Sequence, residues 1–224
     1  MTLSIVARSP CGTLFGVAAL TEMPAVGKLL SHASARTGAA ATQAKVNPYL
    51  GIDALRLLRD GVAAADAVRR LITADPRASE RQLAVIGAEG GAAAWTGAQC
   101  IAYAGALERP DFCVAGNRLA GPRVLEAMAE AYQANGNAPF DERLVRVVEA
   151  GEAAGGDRKG ERSANLLVVS TEEYPLWDIR VDEHPDPVTE LRRLHDVFKA
   201  DVLPELLEMP TREDPAGGEK EAAV

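Results

Sequence analysis

The residue best placed for nucleophilic chemistry is a threonine directly behind the initiator methionine, in the opening sequence MTLSIVA. Methionine aminopeptidases remove Met1 when the second residue is small, so we expect processing to leave Thr2 with a free α-amine at the start of a strand. A threonine hydroxyl is a poor nucleophile until a base takes its proton, and an α-amine with a pKa of about 7.7 to 8.0 is a suitable base. The alternative is that Thr2 is an ordinary strand residue, because threonine favours strands.

A second group of candidates lies where glycines precede polar side chains. Asn117 follows Gly116 just before a predicted helix, where its amide or a neighbouring backbone N–H can stabilise an oxyanion. Asparagine also tolerates a left-handed turn, and the two interpretations stay open. In the loop GGDRKG, Asp157 is placed to orient the Thr2 amine and Arg158 to bind a substrate carboxylate through two parallel hydrogen bonds. The same loop is also typical of an exposed turn between a helix and a strand.

Three further polar residues stand near the ends of predicted strands. Gln43 lies near the end of a strand of small residues, and Ser163 and Asn165 lie at the start of a later strand. We expect these side chains to line a substrate-binding cleft, and the alternative is that they only cap the ends of strand ladders.

Cysteine and histidine patterns give no sign of a metal or a second nucleophile. C-x-x-C and H-x-x-x-H spacings are absent, and no histidine stands beside a cysteine, so we predict no metal, no cofactor and no cysteine nucleophile. The odd number of cysteines predicts reduced thiols, and the scattered histidines are predicted to be surface residues. The cysteines are Cys11, Cys100 and Cys113, and the histidines are His32, His184 and His195.

Composition predicts a folded acidic domain. The chain has 224 residues, of which 47% are hydrophobic and 25% charged, and its net charge is −8. We expect one domain over residues 1–209, and the net charge disfavours nucleic-acid binding. Neither a secretory leader nor an apolar run of about 18 residues is evident, so we expect a cytoplasmic protein without a membrane partner. The expected partners are a small-molecule substrate and further copies of the chain in a homo-oligomer.

The elements that must position these residues follow from periodicity and turn chemistry. The order is strands, two helices, strands, two helices, strands and a closing helix. Antiparallel hairpins with paired helices predict a layered α+β fold. We predict a disordered tail at 210–224, because it is rich in Pro, Gly, Glu and Ala. The predicted strands cover residues 3–7, 13–20, 38–44, 83–88, 92–96, 101–107, 112–115, 164–170 and 176–181, and the predicted helices run from Pro48 to Gly61 and over 64–74, 123–133, 141–154 and about 187–208.

Several short motifs occur in an order that resembles a known family. They are T-x-SIVA at the start, PAVG at 24–27, ATQA at 41–44, NP-x-LG at 47–51, GN-x-LAGP at 116–122 and AGGDR-x-G at 154–160. Together they resemble the bacterial family called domain of unknown function 1028, over roughly residues 1–182. That family is placed among the folds similar to N-terminal-nucleophile (Ntn) hydrolases, so the resemblance implies a four-layer αββα sandwich of two antiparallel sheets between helices.

The resemblance also implies an activity, because Ntn hydrolases use an N-terminal Thr, Ser or Cys on their first strand. We therefore expect an Ntn-type amidohydrolase in which Thr2 attacks a small linear amide. The alternative is a non-catalytic Ntn-like protein, either a small-molecule binder or an assembly subunit, in which Met1 is retained. The family pattern has a Ser and a basic residue before the Ala-Val-Gly motif, whereas this chain has Thr21-Glu22-Met23-Pro24, with Lys28 as the next basic residue.

Overall fold

The computed structural model describes residues 2–218, which form ten β-strands and six α-helices. The strands are β1 (Thr2–Arg8), β2 (Phe15–Thr21), β3 (Ser31–Ser34), β4 (Gly38–Ala44), β5 (Arg81–Gly87), β6 (Ala92–Thr96), β7 (Gly105–Glu108), β8 (Phe112–Asn117), β9 (Ser163–Val169) and β10 (Trp177–Val181). The helices are α1 (Pro48–Arg59), α2 (Ala64–Ala74), α3 (Pro122–Ala134), α4 (Phe140–Ala153), α5 (Pro187–Asp201) and α6 (Leu203–Leu207).

The strands pair into two antiparallel sheets, which confirms a mixed helix and sheet fold built from hairpins. The six-stranded sheet has the order β10-β9-β2-β1-β8-β7, and the four-stranded sheet has the order β3-β4-β5-β6. Because β1 lies between β2 and β8, Thr2 has Thr21 opposite it on one side and Asn117 on the other. The start of β1 is thereby held in the middle of the larger sheet.

The apolar side chains form three clusters, set by the alternation of residues along the strands. Leu3 and Ile5 of β1 pack against residues of α3, α4 and α5. Val6 points to the opposite side of the sheet and shares a second cluster with residues of β4 and β5. Leu83 and Val85 of β5 form the third cluster with residues of α1 and α2.

Side-chain caps fix where two of the helices begin. The Asn47 side chain accepts a hydrogen bond from the backbone N–H of Tyr49 (3.2 Å) ahead of α1. Asp186 accepts one from the N–H of Thr189 (3.1 Å) ahead of α5. Proline occupies the first turn of both helices, where its missing N–H has no intrahelical partner to lose. Both predicted helix starts are confirmed.

Three differences from the sequence prediction go beyond a shift of one or two residues at the end of an element. The short strand Ser31–Ser34 was not predicted, because it holds only four residues of mixed polarity. Residues 101–104, predicted as the first half of a strand, are irregular, and β7 begins at Gly105. The closing helix is divided at Val202 into α5 and α6, one residue before a proline-containing turn.

The prediction that His195 lies at the surface was wrong, because its side chain is fully buried. The imidazole stacks on Trp177 with ring centroids 4.7 Å apart, and its Nε2 lies 2.7 Å from Asp141 Oδ2. His195 lies four positions after the buried Leu191, so both residues share the inner face of α5. The histidine therefore helps to attach the closing helix to β10.

The first part of the predicted tail contacts the body of the protein. Tyr174 Oη donates a hydrogen bond to the carbonyl of Pro210 (3.1 Å), and the guanidinium of Arg212 binds both carboxylate oxygens of Glu173. Residues 219–224 and Met1 lie outside the described residues. Within residues 2–218, no helix has the length and apolar composition needed to span a membrane.

Candidate functional site

A row of polar side chains crosses the six-stranded sheet at the level where β1 begins. The strand registers place Ser163 opposite Thr21, Thr21 opposite Thr2, and Thr2 opposite Asn117. Ser4, two residues further along β1, bonds to a residue of β4, so this face of β1 is turned toward the four-stranded sheet. Thr2 thus opens onto the space between the two sheets.

A second polar row lies on the facing sheet, where Gln43, Gln82 and Thr96 are paired side by side. Gln82 Oε1 accepts hydrogen bonds from Gln43 Nε2 (2.7 Å) and Asn117 Nδ2 (2.9 Å). Gln43 Oε1 in turn accepts from Ser4 Oγ at 2.7 Å. These bonds join the two sheets through a continuous network of buried amides.

The same inter-sheet space is apolar away from the start of β1. Its lining there consists of residues such as Val6, Val17, Ala39 and Ile86, all without exposed surface. Buried amides and hydroxyls are stable only when they are hydrogen-bonded, and a fully bonded network makes the surrounding core rigid. The chain places its inter-sheet polar groups beside Thr2.

Thr2 itself is nearly buried, with 7% of its surface exposed. Its Oγ1 lies 3.1 Å from Oγ1 of Thr21, within hydrogen-bond distance. Thr21 Oγ1 also accepts a longer bond of 3.4 Å from the backbone N–H of Met23. The hydroxyl of Thr2 is therefore held in one orientation by its neighbour on β2.

Four charged residues meet in front of β1. Glu22 follows Thr21 and Arg118 follows Asn117, so these two residues flank the start of β1, and their side chains form an ion pair. Arg118 Nη2 also donates to Asp157 Oδ2 at 3.3 Å, and Lys159 Nζ lies 3.9 Å from Glu22 Oε1. The hydrogen bond from Arg118 lowers the pKa of Glu22, which stays ionised at neutral pH.

Asp157 is held by the loop that it belongs to. Its Oδ1 accepts from the backbone N–H of Lys159 (2.7 Å), and its own N–H donates to Glu161 Oε1 (2.7 Å). The Glu161 side chain lies beneath the loop, where burial raises the pKa of its carboxyl group. Gly156 has a positive φ of 39°, and a Cβ there would collide with this carboxylate. The loop thus needs glycine to bring Asp157 to Arg118.

Arg158 points away from that ion pair. Its Nη2 donates to the carbonyl of Ala102 at 2.7 Å, in the irregular segment 101–104. The backbone N–H groups of Arg118 and Leu119 also donate to this segment, at the carbonyls of Ile101 (2.6 Å) and Tyr103 (3.0 Å). Arg158 therefore joins the glycine-rich loop to the wall of the site.

A cavity of about 220 Å³ opens beside Asn117. It is smaller than the roughly 300 to 1,000 Å³ of pockets for drug-sized ligands, which suits a small substrate. Asn117 lines this cavity and is paired with Thr2 between β8 and β1, whereas Thr2 itself is not among the lining residues. The cavity is lined by Ala44, Lys45, Glu80, Gln99, Cys100, Ile101 and Asn117.

Of the four residues predicted to bind substrate, Arg158 is exposed, and Gln43, Ser163 and Asn165 are buried, each with at most 1% of its surface exposed. Gln43 belongs to the amide network between the sheets. Ser163 Oγ donates to the carbonyl of Met23 (2.6 Å), and Asn165 bonds to the Ser31 hydroxyl (2.9 Å). The contacts of Ser163 and Asn165 hold the segment between β2 and β3 in place. The role of these residues in substrate binding stays a prediction.

Gln82 and Arg118 were not found by sequence analysis. A glutamine at the start of a strand has no sequence feature that marks it as buried, and only the register between β5 and β4 places it opposite Gln43. Arg118 occupies the variable position of the motif GN-x-LAGP. Its backbone is left-handed (φ 57°), which is uncommon for a residue with a side chain. No rule for reading a sequence predicts this conformation at an arginine.

Metal ligands are not grouped in the described residues. Among residues 2–218, no cluster of three or more His, Cys, Asp or Glu side chains has the geometry to hold an ion. Cys11, Cys100 and Cys113 are all free thiols, and burial raises the pKa values of Cys100 and Cys113.

The fold and site define a protein of two antiparallel sheets with a polar, partly charged opening at the start of the central strand. The family model described as a family of unknown function (DUF1028) matches residues 2–191, and the chain belongs to this family. The crystal structure of protein SPO2555 from Silicibacter pomeroyi, described as a DUF1028 protein, is 30% identical, with a TM-score of 0.89, and the match covers 97% of this chain and 98% of that one.

A second solved structure is much less similar. It is Anbu (ancestral beta-subunit) from Yersinia bercovieri, which is 12% identical with a TM-score of 0.42, and the match covers 88% of this chain and 97% of that one. No curated protein matches the chain.

Proposed function

We propose that this chain is an Ntn-type amidohydrolase that cleaves the C–N bond of a small linear amide with Thr2 as nucleophile. The observation that carries the proposal is the position of Thr2 at the head of the central strand, where its hydroxyl meets the polar end of the inter-sheet space. The proposal includes the four-layer αββα architecture, and the three separate apolar clusters support it.

The proposed reaction begins once Met1 has been removed. The free α-amine of Thr2 takes the proton of the Thr2 hydroxyl while Oγ1 attacks the amide carbonyl. The tetrahedral intermediate expels the amine, which receives the proton from the Thr2 ammonium group, and an ester to Oγ1 remains. Water then attacks the ester with the α-amine again as base, releasing the carboxylic acid and restoring the hydroxyl.

Neighbouring residues have distinct roles in this mechanism. Asn117, which lies beside Thr2 and is fixed by Gln82, is placed to stabilise the oxyanion with its side-chain amide or an adjacent backbone N–H. Asp157 and Arg118 set the charge around the α-amine, together with Glu22. Arg158 positions the segment 101–104 that borders the substrate cavity.

The small volume of the cavity supports a small-molecule substrate. The charged residues in its lining are Lys45 and Glu80, which are opposite in sign.

We place the reaction in the cytoplasm, because the cysteines have no disulfide spacing, and we assign the active form to a homo-oligomer. The alternative is a non-catalytic Ntn-like protein that binds a small molecule or serves in an assembly, with Met1 retained.

Labelling with a β-lactone tests the proposal without knowledge of the substrate. The strained ring acylates an activated hydroxyl, and ring opening leaves the whole lactone attached as an ester. We expect one adduct on the N-terminal peptide at Thr2, detected by mass spectrometry after digestion. Thr2→Ala should not be labelled, Thr2→Ser should be, and the exposed control Thr73→Ala should label like the wild type.

A second variant separates the hydroxyl from its base. Insertion of an alanine between Met1 and Thr2 keeps the hydroxyl but turns the Thr2 amine into an amide without a basic lone pair. The labelling rate should fall by about 10² to 10⁴, the usual contribution of a positioned base. Equal labelling of Thr2 in the wild type and the inserted variant, or no adduct at Thr2 in protein that has lost Met1, would exclude the mechanism. Absence of any adduct at Thr2 together with retained Met1 would support the non-catalytic alternative.

A further inference from the structure

A polar cavity of about 460 Å³ lies at the other end of the sheets from Thr2. We propose that it binds a small molecule carrying a dianionic group, either a phosphate monoester or a pair of carboxylates. Its lining includes three arginines from separate parts of the chain: Arg36 in the β3–β4 turn, Arg59 at the end of α1, and Arg212 after α6. The volume falls within the roughly 300 to 1,000 Å³ of small-molecule sites.

The strand directions separate this cavity from the candidate active site. β9 begins at Ser163, in the polar row that contains Thr2, and Thr171, which lines the cavity, follows the other end of the same strand. A strand of this length spans about 20 Å at roughly 3.3 Å per residue. A ligand bound at the three arginines therefore does not contact Thr2.

The charges of the lining residues do not cancel. Arg212 forms two hydrogen bonds with Glu173, at 2.8 and 2.7 Å, and Glu173 is the one acidic residue in the lining. Arg36 and Arg59 form no ion pair with any carboxylate in residues 2–218, and Arg59 Nη2 donates only to Ser34 Oγ (3.1 Å). Three positive charges less one negative charge leave two uncompensated positive charges, on a chain whose net charge is −8.

The neighbouring carboxylate of Glu172 is already engaged. It is buried, its Oε2 accepts from the backbone N–H of Arg212 (3.0 Å), and it does not line the cavity. The hydroxyls of Ser34 and Thr171 also line the cavity, and they donate long hydrogen bonds to Thr37 Oγ1 (3.4 Å) and Glu172 Oε1 (3.5 Å). Planar guanidinium groups match phosphate and carboxylate oxygens through paired hydrogen bonds, so this set of donors fits a compact dianion.

Isothermal titration calorimetry at low ionic strength tests the site, with inorganic phosphate and succinate as the two probes. We expect saturable binding of at least one probe at a single site. Arg36→Gln and Arg59→Gln should each weaken it about tenfold or more, since each removes a charge-assisted hydrogen bond. Glu173→Gln should strengthen it, because Arg212 loses its competing partner. Tighter binding of phosphate would identify a phosphate monoester site, and tighter binding of succinate a dicarboxylate site.

Two controls make the result specific. Arg193→Gln removes the same charge from an arginine that is paired with Glu190 on α5, and it should leave the affinity unchanged. Thr2→Ala should also bind the probe like the wild type, because the two sites are separate. Three results would overturn the proposal. Neither probe saturates; the Arg36→Gln, Arg59→Gln double variant binds with wild-type affinity; or Arg193→Gln weakens binding as much as the cavity variants do.

Discussion

Glu22 is the residue directly after β2, and it brings an acidic side chain to the candidate site. The structure places its carboxylate between Arg118 and Lys159, in front of the strand that carries Thr2. The basic charges beside it come from Arg118 after β8 and from Lys159 in the glycine-rich loop. Glu22 therefore completes a charge cluster and does not stand alone in the site.

This arrangement predicts how stability depends on pH. The pKa of Glu22 is lowered by its hydrogen bond with Arg118, so the folded value lies below the unfolded value of about 4.3. A depressed carboxyl pKa stabilises the fold above the unfolded pKa, and the contribution is lost as the pH falls through the folded pKa. Glu22→Gln should therefore lower the free energy of unfolding at pH 7, by at most about 1 kcal/mol because the pair is partly exposed.

Urea unfolding at a series of pH values measures this difference. The gap between the wild type and Glu22→Gln should be largest near neutrality and should shrink as the pH falls below about 4, because the Glu22 carboxylate is protonated first in the unfolded chain and then in the folded protein. Glu213→Gln, at an exposed residue without an ion pair in the described part of the chain, is the control and should give no pH-dependent gap. A gap that is constant from pH 7 to pH 3 would contradict the assigned role of the carboxylate.

Sequence patterns found only part of the residues at the site. Thr2, Asn117 and Asp157 could be predicted as site residues, because they stand behind the initiator methionine or beside glycines. At such positions the residue type alone indicates a functional role. Gln82 became visible only when strand pairing placed it across from Gln43 and Asn117. A contact between residues that are far apart in sequence depends on sheet register, which a single sequence does not encode locally.

Among the elements, β5 links the two sheets through Gln82. Its Oε1 accepts from Gln43 and Asn117, and its Nε2 lies 2.8 Å from the carbonyl of Gly116. We predict that Gln82→Leu lowers the free energy of unfolding by about 3 kcal/mol or more, because each buried group left without a partner costs about 1 to 3 kcal/mol. Urea unfolding measures the loss.

The matched control for this prediction is Gln99→Leu, at an exposed glutamine in the cavity wall. It should change stability by no more than about 0.5 kcal/mol, as is usual for surface substitutions. Similar stability of Gln82→Leu and the wild type would mean that the amide network does not hold the sheets together.

Element order was predictable because helix caps, proline positions and apolar periodicity are local properties. Residues 101–104 were mistaken for a strand because Ile101 and Tyr103 are apolar. Their side chains are instead partly exposed, and their carbonyls accept from the N–H groups of Arg118 and Leu119. Tertiary contacts thus override the local strand preference at the segment that borders the site.

For the whole molecule, we predict a homo-oligomer that uses the outer face of the closing helices. The inner face of α5 buries Leu191 in the core, so truncation before this helix would disturb folding as well as assembly. The outer side leaves apolar residues exposed, including Val202 at 39% and Leu207 at 69%. Leu207→Asp should therefore convert the oligomer to a monomer without unfolding it.

Light scattering coupled to gel filtration measures this change. Leu29→Asp, at another exposed apolar residue outside the closing helices, is the control and should remain oligomeric. A monomeric wild type, or an unchanged mass for Leu207→Asp, would exclude these helices from an interface.

The central claim is that Thr2 becomes the first residue of the working protein. Intact-mass spectrometry of protein purified without an N-terminal tag tests this claim most directly. We expect the mass of the sequence from Thr2 onward, lower than that of the full chain by one methionine residue. A mass that retains Met1 throughout the sample would leave the Thr2 amine within a peptide bond, and it would contradict the nucleophile assignment.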